Sequence, residues 1–152
     1  MMRAIAVFCI HVVAMVLFTT AHACDTGAPI LKPEQPSSPL AEIQKFTGTL
    51  FPYGATVIRY ERQMESDALI RAKLFVTPAQ WQGFLGCARL EPDAFEEEKR
   101  YLLGSNTDWW NPRDSRQLPT AQARLPGARV LNVGVDRSDP ERILVFFVWH
   151  RT

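Results

Sequence analysis

The spacing of apolar residues changes period repeatedly along this chain, and each period predicts an element. Leu40, Ile43 and Phe46 recur at helical spacing before Gly48, which predicts a short helix with a glycine stop. From Ala55 to Gln63 the pattern alternates, placing Ile58 and Tyr60 on one face of a strand and Val57 and Arg59 on the other. A polar turn, Met64-Glu65-Ser66-Asp67, leads into a second strand, Ala68 to Val76, where Ile70, Leu74 and Val76 alternate with Arg71 and Lys73. The pair reads as a hairpin.

Thr77 before Pro78 has the form of an N-cap followed by proline at the first helical position, where a missing N–H costs nothing. Trp81, Phe84, Leu85 and Ala88 then form an apolar stripe that should lie on the sheet. Asp93 and Glu96 read as a second helix start, for a helix from Ala94 to Leu103 with its acids first, its bases last and Gly104 as its stop. Ser105 to Gly127, with Pro112, Pro119 and Pro126, reads as a long loop of the kind that usually carries function. Two strands close the chain, Arg129 to Asp136 and Arg142 to His150, joined by the turn Ser138-Asp139-Pro140-Glu141. The last is apolar on both faces and so should be central. The expected fold is α+β: a four-stranded, mainly antiparallel sheet with two or three helices packed on one face. Residues 40–152 would form this single domain.

The chain before Leu40 has another character. Arg3, the apolar run Ala4 to Phe18 and the small-residue site Ala21-His22-Ala23 form an export signal over residues 1–23. The run is about 15 residues, shorter than the roughly 20 that a spanning helix needs. Residues 24–39 read as a Pro-rich tether, with Pro29, Pro33, Pro36 and Pro39 giving a reach of up to about 45 Å. Cys24 stands at the cut. It can accept a lipid, which would anchor the exported protein to a membrane from the periplasmic side, or it can pair with Cys87, because Cys9 leaves with the signal. Lipidation is placed ahead of pairing here, although Ala21 and His22 depart from the usual lipoprotein signature. A Cys24–Cys87 disulfide would instead contribute about 4 kcal/mol by the chain-entropy model.

Loss of residues 1–23 removes Arg3 and no acid, so the 17 basic residues fall to 16, equal to the 16 acidic ones. A neutral chain without a basic cluster lacks the electrostatic footprint of a nucleic-acid binder. His11 and His22 belong to the signal, leaving His150 as the one histidine of the mature chain. That removes His-rich zinc sites and leaves a single candidate base, itself at a strand end. No cysteine spacing or glycine pattern marks a redox, metal or phosphate site, so no cofactor, no metal and no catalytic residue is assigned. What stands out is Asp108-Trp109-Trp110-Asn111-Pro112 in the long loop. Adjacent tryptophans point different ways, so one can anchor the loop while its neighbour stays available. Trp109, Trp110, Asn111 and Arg113 are the candidate partner-binding residues, with Cys24 and Cys87 as the lipid or disulfide positions.

The exported N-terminus with Cys24, the tether, Phe51-Pro52-Tyr53-Gly54-Ala55 entering a strand, and Trp109-Trp110-Asn111-Pro112 before a closing hairpin together make a pattern. In outline it resembles small exported proteins and lipoproteins of Gram-negative bacteria, some of them periplasmic immunity proteins. The resemblance implies a non-catalytic, envelope-associated domain that binds a protein partner, as an immunity-type inhibitor or an accessory factor. It transfers no site residues. Two other classes stay open: a glycan or small-molecule binding module that stacks its ligand on Trp109 or Trp110, and a small periplasmic hydrolase.

Overall fold

A computed structural model describes residues 38–64, 67–97 and 99–151. Signal, tether and Cys24 lie outside the described residues. Helix α1 spans Pro39–Thr47, capped by the Ser38 hydroxyl accepting from the Ala41 N–H and stopped by Gly48 at φ +69°. Strands β1 (Thr56–Met64) and β2 (Ala68–Val76) form the hairpin. Helix α2, Pro78–Ala88, opens on a reciprocal capping box between Thr77 and Gln80. Its stripe Trp81, Phe84, Leu85 and Ala88 is buried as its spacing predicts. Strands β4 (Arg129–Asp136) and β5 (Ile143–Arg151) follow.

The sheet has five strands rather than four, all antiparallel, in the order β1-β2-β5-β4-β3. The additional strand, β3, is Thr120–Leu125, inside the expected loop. Its inward residues are Ala121 and Ala123, too small to give an apolar signal between flanking prolines, yet paired with β4 they complete an edge. As its two-faced apolarity demands, β5 is central.

The expected helix from Ala94 to Leu103 is absent. In its place are two short 3-10 turns, Pro92–Ala94 and Arg100–Leu103, separated by extended backbone at Phe95. Tertiary contacts override the local helix signal here: the Phe95 ring packs edge-on to Trp81 at 5.6 Å, and Glu96 exchanges both backbone hydrogen bonds with Thr120 at 2.8 Å. A continuous helix would lose both.

A register shift between Val57 and Arg59 changes the predicted faces of β1. One residue more on β1 than on its partner flips the alternation. Val57 and Tyr60 therefore share the core side, and Ile58 is exposed.

Two apolar clusters sit on opposite faces of the sheet. On the first, α1 and α2 cover Ile70, Leu74, Val133, Val145 and Phe147. On the second, no helix is present among the described residues; Leu103, Trp110 and Leu118 from the segment before β3 cover Phe146 and Val148. The long loop is thus the lid of the second face.

Candidate functional site

The second face is built in rows set by the strand register. One row runs Arg59, Lys73, Phe146, Gly134, and the next runs Glu61, Arg71, Val148, Asn132. Phe146 and Val148 are apolar and must be covered; the residues from β1 and β2 are charged and stay near water. The 100–118 segment crosses this boundary.

Trp110 supplies the cover. It is 0 % exposed, its indole N–H donates to the Leu103 carbonyl at 2.7 Å, and its ring meets Phe146 edge-on at 5.2 Å and 84°. Gly134 makes the close approach possible, since a Cβ there would lie 2.4 Å from Leu103 Cδ1. Farther along, Asn132 donates from Nδ2 to the Leu102 carbonyl and accepts from Gln122.

Trp109 is left half-buried beside it, 5.5 Å from Trp110 at an interplanar angle of 67°. The Arg59 guanidinium lies over the Trp109 ring, 5.4 Å from its centroid. Lys73 reaches from β2 under the loop, donating to Asn111 Oδ1 at 2.6 Å and to the Trp109 carbonyl at 3.5 Å. Asn111 Nδ2 passes the connection to Asp114 Oδ2, and Asp114 Oδ1 accepts from Asn106. A backbone bond from the Thr107 N–H to the Trp110 carbonyl, and bonds from the Arg100 guanidinium to the Arg113 and Arg116 carbonyls, close the frame. This bonding makes the loop a braced platform, not a flexible connector.

Of the four residues singled out by sequence, the fold brings Trp109, Trp110 and Asn111 together in distinct places. Trp110 is an anchor, Asn111 an internal brace, and Trp109 the member of the tryptophan pair that meets solvent. Arg113 follows on the 3-10 turn Pro112–Asp114, exposed, with its backbone N–H donating to Asn106. Sequence reading missed Arg59 and Lys73. Their signal was a charged set at alternate positions of both hairpin strands, which looked like an ordinary solvent face.

The chemistry elsewhere is dispersed. Asp136 accepts from the Ser138 N–H at 2.9 Å. Burial raises its pKa, but bonds from the Ser138 N–H and the Ser115 and Ser138 hydroxyls, with the Arg100 charge, outweigh burial and hold the carboxyl below its usual range. Tyr60 is shifted upward, chiefly because its hydroxyl donates to Glu42 and then because of burial. His150 lies at the other end of β5 from Leu144, the residue opposite Asp136, between Leu69 and Val130. Six residues of strand, about 20 Å, separate it from the Ser115–Asp136 contact. Among the described residues no group of three or more His, Cys, Asp and Glu side chains converges on a metal-sized site. A concavity of about 470 Å³ lies beside Asp136, lined also by Arg116, Arg137 and Ser138. The guanidinium of Arg137 is 5.2 Å from the Trp81 ring centroid.

Cys87, on α2, is disulfide-bonded, and its partner lies outside the described residues. No helix among the described residues is long and apolar enough to cross a membrane. Compared with family models, curated proteins and solved structures, the chain shows no match.

Proposed function

We propose that this is an exported, envelope-associated binding domain whose recognition element is the Trp109 platform, acting on a protein partner as an inhibitor or accessory factor. The observation that carries the reading is the division of labour within the tryptophan pair. A buried Trp110 and a hydrogen-bonded frame fix the loop before any partner arrives, so that little ordering cost remains to be paid on binding. Trp109 then offers a rigid, partly exposed aromatic surface beneath Arg59, with exposed Arg113 on the same loop, the residue types that dominate protein interfaces.

The same geometry ranks the alternatives. A sugar ring stacks on a free aromatic face, whereas one face of Trp109 is already under Arg59 and its side abuts Trp110. A hydrolase needs acid, base and nucleophile within hydrogen-bond reach. Here Ser115 and Asp136 are together, and His150 is far along the strand. Protein recognition asks for neither arrangement.

A photoreactive residue placed at position 109 of the exported chain, in its own host, tests this reading. A discrete protein adduct at 109, absent when the same probe replaces exposed Gln82 on α2, is the expected outcome. Identical adduct patterns at both positions, or none at 109 in a folded and exported chain, would sink it.

A further inference from the structure

The sheet has two edge strands, and the described chain closes only one of them. At the β3 edge, Glu96 and Thr120 exchange two backbone hydrogen bonds of 2.8 Å. At the β1 edge, Thr56–Met64 pairs with β2 on one side, and no described residue pairs with the other. A bare edge is a row of backbone donors and acceptors ready to pair with another strand. This one is nine residues long, and it carries two of the exposed large apolar side chains among the described residues, Ile58 at 46 % and Met64 at 50 %.

Bulges and charges are the usual protections of such an edge. The β1 bulge is confined to Val57–Arg59 and leaves Arg59 to Met64 in regular register with β2. What the charges do depends on what lies opposite them. When two copies of one strand pair antiparallel, the two-fold axis stands normal to the sheet and passes between a residue and its own twin, so that residue names the register. Centred on Arg59 or Arg62, the pair sets arginine against arginine, and centred on Glu61 it sets glutamate against glutamate. Centred on Tyr60, it sets Arg59 against Glu61 twice and overlaps all nine residues. Opposite charges facing each other across strands stabilise, and like charges destabilise. Arg59 and Glu61 are both on the second face, and neither is in an ion pair among the described residues. The Arg59 guanidinium lies over Trp109, and a stacked guanidinium can still donate in its own plane.

We propose that β1 is a docking edge for a second copy of this chain, paired antiparallel about Tyr60, with Arg59 of each copy opposite Glu61 of the other. The two five-stranded sheets then form one continuous sheet. Association stops at two, because the pairing uses both β1 edges and Glu96 closes each β3 edge. An axis normal to the sheet keeps like faces on the same side, so both Trp109 platforms face the same way, each beside the seam through its contact with Arg59. A partner would therefore meet two platforms. That consequence, unlike the pairing, rests on the recognition reading above.

Sedimentation equilibrium of the full chain over a concentration series reads the pairing without any partner, so its failure leaves the adduct test at position 109 untouched. The mass should rise to that of two chains and no further. A single-chain mass throughout, or growth beyond two chains, overturns the proposal. Charge exchange tests the register. Arg59→Glu and Glu61→Arg each set like charges against one another at both points, so each variant alone should stay a single chain. Mixed in equal amounts, the two variants set opposite charges against one another again, and the mass should return to two chains. Variants that pair alone as the parent does, or a mixture of folded variants that stays monomeric, overturn the register. Amide hydrogen exchange of the parent chain needs no substitution and so covers a variant that fails to fold. Protection of residues 58–62 should grow with concentration, and exchange there that ignores concentration overturns the seam.

Discussion

Trp109 and Trp110 are chemically identical neighbours, and their difference is wholly one of surroundings. The sequence shows that adjacent indoles must diverge, and it stops there, because which one turns inward depends on Phe146 from β5 and Gly134 from β4. Burial predicts separable consequences. Trp110→Ala should cost about 3 to 5 kcal/mol of stability, as buried aromatic truncations do, whereas Trp109→Ala should cost about 1 kcal/mol or less. Urea denaturation of both variants checks this, together with acrylamide quenching compared between the two variants, which share Trp81 and Trp149 and differ only in which of Trp109 and Trp110 remains. Equal stability losses would mean that Trp109 is a second anchor, with no surface role. Arg59 and Lys73 show why the rest of this site was illegible. Each looks like a solvent-facing strand residue until a segment 36 (Lys73) or 50 (Arg59) residues later folds over it, and neither composition nor period carries that information.

Elements whose stabilisation is local were legible, and those fixed by distant contacts were not. Helix α2 has a cap, a proline at its first position and an apolar stripe, all within its own residues, and it forms where those signals place it. Phe84 lies at its centre, wholly buried and in ring contact with Trp81 at 5.4 Å and Phe51 at 5.7 Å. Phe84→Ala should therefore lower stability by about 3 to 5 kcal/mol, read as a fall in the denaturant midpoint. An unmoved midpoint would place this helix face away from the core. The 94–103 helix had comparable local signals and lost to Phe95 and Glu96, whose partners are on α2 and β3. Strand β3 is the converse, invisible in its alanines and stabilised by pairing.

The turn after β4 carries a pH signature. Because the folded pKa of Asp136 is depressed, its contribution to stability is fully present above the unfolded value, about 3.9, and is lost as pH falls through the folded one. Asp136→Asn should lower stability at neutral pH and flatten the acid limb of the stability profile below about pH 4. Parallel acid limbs for the variant and the parent would show that the Ser115 and Ser138 bonds do not favour the ionised form.

Taken together, the fold divides its sheet between two kinds of cover. Helices seal one face for stability, and a braced loop seals the other while leaving Trp109 partly exposed at its edge. The class α+β and the central position of β5 were readable from pattern, because both follow from how much apolar surface each strand presents. The fifth strand and the second cluster were not, because both depend on pairing across long sequence separations. The arrangement makes Trp109 the point where a partner would gain the most contact for the least ordering. The direct measurement is a calorimetric titration of the protein captured at position 109 against the parent chain and Trp109→Ala. Recognition through this platform predicts that the substitution raises Kd by about thirtyfold, near 2 kcal/mol, while stability falls by no more than about 1 kcal/mol. An unchanged Kd would contradict it.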